Sequence, residues 1–372
     1  MENQKSDIIL ISTNNWNGFW FQRQEFATRF SEEGYRVFYI NKFPQRIPTF
    51  NKIIRHLKTK KMNDSLINPV PKGIFILSPL FFPPLPFLNI FNLVFAYFFC
   101  KNIIRKYSLN NPYLITYQPS KIVHYIINFL RPIKIVYVNT HNYNADPTCP
   151  KSLFKSESLL VKKANILLAD AQFNVKRLQA YHPSIQVGRA MPGVNSNAFA
   201  SSYRGDEVQR KKNIYFFGDI GNYLDIDLYN QASKDYKVHL IGVVNPQIKE
   251  LISNSIIVLP PVAPTELPNI LKDADIITIW YKQTDYVNAI LPAKFFECLA
   301  TKKPFFISGL PEASPYLDAV YDINGSYEIF TQFVSNLHIY ETKERLQKKA
   351  LYSTEADWKT RYEQFKYNIG LD

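Results

Sequence analysis

DIILISTNNWNGFWFQRQEFATRFSEEGYRVFYIN, residues 7–41, compresses a strand, a turn, a helix and a second strand into one short stretch. Asp7–Ser12 runs Ile-Ile-Leu-Ile without alternation, the pattern of a strand covered on both faces of its sheet. Thr13–Gly18 is a polar turn. A helix is expected over Trp20–Glu33, with Phe26 and Phe30 on one face and Gly34 as its stop. Arg36–Asn41 returns to strand. Strand, helix, strand in this order announces a parallel sheet.

The same alternation continues outward. Gly73–Ser78, Tyr113–Tyr117, Lys134–Val138 and Asn165–Ala169 read as further strands with helices between them. Gly188–Asn195 (GRAMPGVN) is punctuated like a loop, and beyond it the pattern restarts. Asn213–Phe217 is a strand, Gly218–Gly221 a tight loop, and Leu224–Ala232 a helix. Lys237–Ile241, Ile256–Leu259, Ile276–Trp280 and Pro304–Ser308 complete a second series. Two successive series imply an α/β protein of two facing Rossmann-like domains, with a ligand in the cleft at the strands' carboxyl ends. The expected divisions are 1–190, 191–345, and a C-terminal helix over 346–372 packing back on the first domain.

A chain of 372 residues with 46% apolar side chains is long enough for two cores. Cys100, Cys149 and Cys298 are far apart, with no CxxC pair, so neither a zinc site nor a disulfide framework is suggested. The N-terminus lacks the apolar core and cleavage site of a secretion signal. The charge is lopsided: residues 1–190 hold 25 Lys/Arg against 9 Asp/Glu, net +16, and residues 191–372 hold 19 against 22, net −3. The basic half is expected to meet something anionic. No nucleic-acid-binding signature accompanies it, so nucleic acid is not an expected partner.

Residues 79–100, PLFFPPLPFLNIFNLVFAYFFC, are followed by Lys101, Arg105 and Lys106. A membrane span needs about 20 apolar residues, and the prolines at 79, 83, 84 and 86 leave about 14, so no span is expected. The larger part of the run is expected in the hydrophobic core. Lys52, Arg55, Lys58, Lys60 and Lys61 lie beside it, and together with its aromatic residues they suit peripheral contact with an anionic membrane.

The ordered motifs carry a resemblance over nearly the whole chain, residues 42–110 excepted. The turn with Trp16-Asn17-Gly18 and the following Trp20, Gln22 and Arg23 open it. Leu168-Ala-Asp170, Met191-Pro-Gly-Val-Asn195, the Gly218–Gly221 loop with Leu224-Asp225-Ile-Asp227, and Glu266-Leu-Pro268 continue it. Leu291-Pro-Ala-Lys294-Phe-Phe-Glu297-Cys-Leu-Ala, then Lys303-Pro304, close it. In these the chain resembles bacterial teichuronic-acid-type glycosyltransferases of the GT-B fold, distant relatives of the xanthan glucuronosyltransferase. The resemblance implies transfer of a sugar from a nucleotide donor, a UDP-sugar before a GDP-sugar, to a polyprenyl-linked or polysaccharide acceptor. It implies work at the cytoplasmic face of the membrane and no cofactor. It assigns Gly218, Asp219, Gly221, Tyr281, Pro292, Lys294 and Glu297 to the donor, and Trp16, Asn17, Gly18 and Arg23 to the acceptor.

The residues themselves agree for the donor half. Pro292–Glu297 reads as a loop entering a helix just after a strand, where free N–H groups and positive potential suit a pyrophosphate. Lys294 adds a cation there, and Glu297, one turn on, can accept from ribose hydroxyls. Ala289 stands where many GT-B enzymes carry an acid that contacts the donor sugar. Gly218-Asp219-Ile-Gly221 suits close backbone approach to phosphate, or is simply a turn. Asp225 reads as a helix N-cap, so Asp225-x-Asp227 is not expected to bind metal.

In relatives, the strand matching Ile135–Val138 is followed by paired aspartates, one of them read as the general base. Here His141 falls at one of those positions, with Asp146 behind it. A histidine near its reference pKa of about 6.5 can take a proton from an acceptor hydroxyl; the other reading is a loop histidine with a structural hydrogen bond. A UDP-sugar 2-epimerase and a catalytically inactive GT-B scaffold are the rival readings.

Overall fold

The computed structural model describes residues 5–46, 67–146, 149–205 and 207–371. Lys52, Arg55, Lys58, Lys60 and Lys61 lie outside them. The chain divides into two compact units, Met1–Ala190 with Gln364–Asp372, and Met191–Glu363.

In the first unit seven strands pair entirely in parallel in the order β3-β2-β1-β4-β5-β6-β7. They are β1 Ile8–Ile11, β2 Val37–Ile40, β3 Ile74–Leu77, β4 Tyr113–Thr116, β5 Lys134–Asn139, β6 Ile166–Ala169 and β7 Val187–Arg189. β1 lies between β2 and β4, with Ile8 opposite both Val37 and Tyr113. Every residue of β1 and β2 is buried, as unbroken apolar strands require. The connecting helices include α1 Gln22–Glu32, α2 Asn89–Tyr107, α3 Lys121–Leu130, α4 Lys151–Lys163 and α5 Gln172–Tyr181.

Three sequence expectations are corrected here. α1 begins at Gln22 rather than Trp20, because the Trp20 indole donates to Glu25 Oε2 at 2.8 Å from outside the helix. The stretch read as a loop from Gly188 begins inside β7, whose three residues are too few for a period of two to register. The aromatic run is a helix: α2 with its leading turn spans Pro86–Tyr107, 22 residues, because the apolar pattern continues through Ile103 and Ile104 beyond the first lysine. Its larger part is exposed rather than core.

The second unit holds six parallel strands in the order β10-β9-β8-β11-β12-β13. They are β8 Asn213–Phe217, β9 Lys237–Ile241, β10 Ile257–Leu259, β11 Ile276–Trp280, β12 Phe305–Ser308 and β13 Tyr321–Asp322. Among its helices are α6 Ile226–Ala232, α7 Lys294–Ala300 and α8 Lys343–Glu355. The last helix, α9 Trp358–Ile369, begins here, and its final turns belong to the first unit. Asp225 caps α6, its Oδ1 accepting from Leu228 N at 3.2 Å. A buried ionic chain ties α8 to the sheet. Lys303 Nζ donates to Glu207 Oε1 at 2.7 Å and to the Ala274 carbonyl at 2.8 Å. Lys349, paired with Glu341, donates to the Lys303 carbonyl at 2.8 Å.

Candidate functional site

Each sheet has one point where the strand order reverses, between β1 and β4 in the first and between β8 and β11 in the second. Loops leaving the carboxyl ends of such strands diverge and open a crevice. The sequence-assigned donor residues gather at that point in the second unit.

Gly218 follows β8 with φ +120°, and Gly242 follows β9 with φ +152°. A Cβ on Gly242 would run into the Gly218 carbonyl, and one on Gly218 would run into the Lys294 side chain. Glycine at both positions therefore lets two loops and a lysine share one space. Lys294 Nζ donates to the Phe217 carbonyl at 2.8 Å and sits 3.9 Å from the centre of the Phe216 ring. Burial brings its ammonium down to about 8, against the opposing influence of Cys298, Glu297 and Asp219. Glu297 is pushed up to about 7 by burial, with Lys294 drawing it the other way. Lys294 is half-buried, folded onto the end of β8.

Asp219 accepts from the Tyr223 hydroxyl at Oδ2, 3.1 Å away, which stiffens the turn through Gly221. Tyr281 packs edge-on against Tyr223 with ring centres 4.9 Å apart and is only 4% exposed, so it supports the loop from beneath. Pro292 accepts from Phe295 N at 2.8 Å and starts the turn into α7. The helix is not reached directly from the strand: β11 ends at Trp280, and a 3₁₀ turn, Val287–Ala289, intervenes. Ala289 is buried in that turn. A cation, two glycine-bearing loops and a readily protonated carboxyl together suit an anionic diphosphate flanked by hydroxyl groups.

In the first unit, loops after β1, β2, β3 and β5 enclose a cavity of about 670 Å³ lined by Thr13, Lys42, Arg46, Pro83, Thr140 and His141 among others. His141 Nε2 and Arg46 Nη2 both meet Asp146 Oδ2, at 2.9 and 2.7 Å. Burial lowers the His141 pKa from its ordinary value, and the hydrogen bond and charge of Asp146 oppose this. The imidazole is therefore neutral at pH 7, and the tautomer that donates from Nε2 to Asp146 carries its lone pair on Nδ1. The structure thus places His141 and Asp146 in one constellation.

Of the acceptor candidates, Arg23 reaches this wall: its Nη2 donates to Thr140 Oγ1 at 2.9 Å, and its guanidinium lies over the Tyr117 ring. Trp16 does not. It is 1% exposed, edge-on to Trp20 and Tyr39. Trp16, Asn17 and Gly18 form a turn held by Asn68, whose Nδ2 donates to the Trp16 and Gly18 carbonyls at 2.7 and 3.0 Å.

Thr13, Lys42, Arg46 and Thr140 were missed in the sequence. Their one legible signal was position, in a loop that follows a strand. Asp170, also at a strand end, is pushed up to about 7 by burial, with Asn174, Arg23 and Arg189 acting the other way. His141, Asp146 and Cys149 lie close enough to hold a metal ion. The Arg46 guanidinium on the same carboxylate and a thiol raised by burial to about 12 both oppose a cation there.

No family model and no curated protein matches the chain. Solved structures match it in fold. Sucrose-phosphate synthase from Thermosynechococcus elongatus superposes with a TM-score of 0.71 at 11% identity, covering 98% of each chain. Anabaena HepE, determined with UDP and glucose, gives 0.68 at 10% identity over 98% of this chain and 100% of that one. WaaG, a glycosyltransferase involved in lipopolysaccharide biosynthesis, gives 0.63 at 10% identity over 97% and 99%. With its two parallel Rossmann-like sheets, the chain has the fold of the GT-B glycosyltransferases.

Proposed function

We propose that the chain is a glycosyltransferase of the teichuronic type, moving a sugar from a UDP-sugar to a polyprenyl-linked or growing surface polysaccharide. The observation that carries this reading is Lys294 against Gly218 at the switch point of the second sheet, within a fold that HepE, solved with UDP, shares almost end to end. The second unit holds the donor and the first the acceptor. Lys294 neutralises the diphosphate as it leaves. Glu297 receives the nucleotide's hydroxyls, and the Gly218–Gly221 loop lies along the phosphates. His141, oriented by Asp146, takes the proton of the acceptor hydroxyl as that oxygen bonds to the anomeric carbon and the bond to the diphosphate breaks. Arg23 shapes the acceptor side. The net +16 of residues 1–190 supports work at the inner face of an anionic membrane.

The test is UDP release from a panel of UDP-sugars, with and without a polyprenyl-diphosphate-linked saccharide. Acceptor-dependent release of UDP is expected. Sugar conversion without acceptor would point to an epimerase, and nucleotide binding without turnover to a scaffold.

A further inference from the structure

Among the described residues, most of the outward face of α2 has no partner in its own unit, Phe91 alone of its stripe meeting the Phe82 ring, with centres 6.3 Å apart. One stripe, Asn92, Ala96, Cys100 and Ile103, points inward and is at most 1% exposed. Its spacing of three and four residues is that of a single helix face. The opposite stripe carries Phe87, Ile90, Phe91, Val94 and Phe98, exposed by 68, 65, 52, 45 and 58%. The same stripe then turns basic at Lys101 and Arg105, both exposed, with Lys106 beside them. No Asp or Glu occurs anywhere in residues 79–107. A helix apolar on both its faces belongs in a core or in lipid, and this one has a core on one side only.

We propose that the outward face of α2 docks on the surface of an anionic bilayer, its amino-terminal half within the leaflet and its basic end among the headgroups. The proposal deepens the reading of a membrane-borne acceptor and rests on it for its purpose, though not for its evidence. α2 does not cross the bilayer. It is the crossover between β3 and β4, which lie parallel in one sheet, so both its ends return to the same soluble layer. Asn92 also clamps its start, accepting from Phe82 N at 2.8 Å and donating to the Phe82 carbonyl at 3.1 Å. A second copy of the chain is the poorer occupant. Two such faces set together would bury Lys101 and Arg105 against a stripe with no carboxylate, whereas lipid phosphates satisfy them. The docking also has an address: Pro83, next to the clamped Phe82, lines the cavity that holds His141. Bound in this way, the membrane surface lies beside the mouth of that cavity.

The test is flotation of the full chain with vesicles of phosphatidylcholine alone and of phosphatidylcholine with phosphatidylglycerol. Wild type is expected to float with the anionic vesicles and more weakly with the neutral ones. Phe87→Ser/Ile90→Ser/Phe98→Ser is expected to lose at least tenfold in both, and Lys101→Gln/Arg105→Gln to lose the anionic preference alone. Phe87→Leu/Phe98→Leu, which keeps the apolar face, is expected to float like wild type and guards against misfolding of the serine variant. Phe98→Trp, read by brominated-lipid quenching, places that residue in the leaflet. Flotation of wild type with neither vesicle, no quenching at Phe98→Trp, or a stable dimer abolished by the serine variant without vesicle binding would each overturn the proposal. The thermal shift produced by UDP is read in parallel; its loss in wild type would sink the transferase reading and leave the docking surface standing.

Discussion

Lys294 Nζ donates 2.8 Å to the carbonyl of Phe217, the last residue of β8, and thereby joins the start of α7 to the Gly218 loop. Two motifs far apart in sequence meet there, 77 positions separating the bonded residues.

Lys294→Ala is expected to weaken UDP binding by about 1.5–3 kcal/mol, the value of a charge-assisted hydrogen bond. In wild type the affinity should also decline as pH rises through about 8, where the free lysine loses its proton. Titration calorimetry across that range checks both. An unchanged pH profile in the alanine variant would remove Lys294 from the donor site.

His141→Ala is expected to lower kcat by about 10²–10⁴ without altering UDP affinity. The acid limb of the wild-type profile should fall below pH 6.5, since burial lowers the imidazole pKa. The stability effect has the same direction. Below about 6.5 the unfolded chain takes up a proton that the native site resists, so stability drops as pH falls through that interval. Full activity in His141→Ala would shift the chemistry to Asp146 or to a retaining route without a base.

Gly242→Ala is expected to destabilise the second unit by about 1–3 kcal/mol and to reduce UDP binding with it. The new Cβ would meet the Gly218 carbonyl, and the backbone there stands at φ +152°. Thermal unfolding with and without UDP reads the two losses separately. A wild-type melting curve with wild-type ligand shift would show that the two loops do not need this contact.

Lys303→Met is expected to cost about 3–5 kcal/mol, because it takes from the buried carboxylate of Glu207 the one cation hydrogen-bonded to it among the described residues. The double change Lys303→Met/Glu207→Leu should recover much of that loss. Urea unfolding of the pair measures the coupling, and additive losses would mean that the ion pair contributes nothing beyond its separate contacts.

Both sheets were legible in the chain itself. Ile8–Ile11 and Asn213–Phe217 are central strands buried on both faces, and such strands show as unbroken apolar runs whatever lies beside them. The Asp225 cap was legible for a similar reason, being a contact over three residues. β7, the two-residue β13 and the emergence of α2 from the core were not. A three-residue strand has too little period to register, and the pattern of Phe and Ile along α2 is the same for a core helix and for one with an open face. The donor motif at Lys294 was visible as residues, but its partner was not. Nor was the pairing of Arg46 with Asp146, 100 positions away. Local pattern fixes which segments become strand or helix, since backbone geometry and side-chain spacing act within a few residues. Which strand ends meet at a switch point, and hence which side chains share a cavity and which face of α2 is left open, follows from the order of strands in the sheet, and only the folded chain decides that.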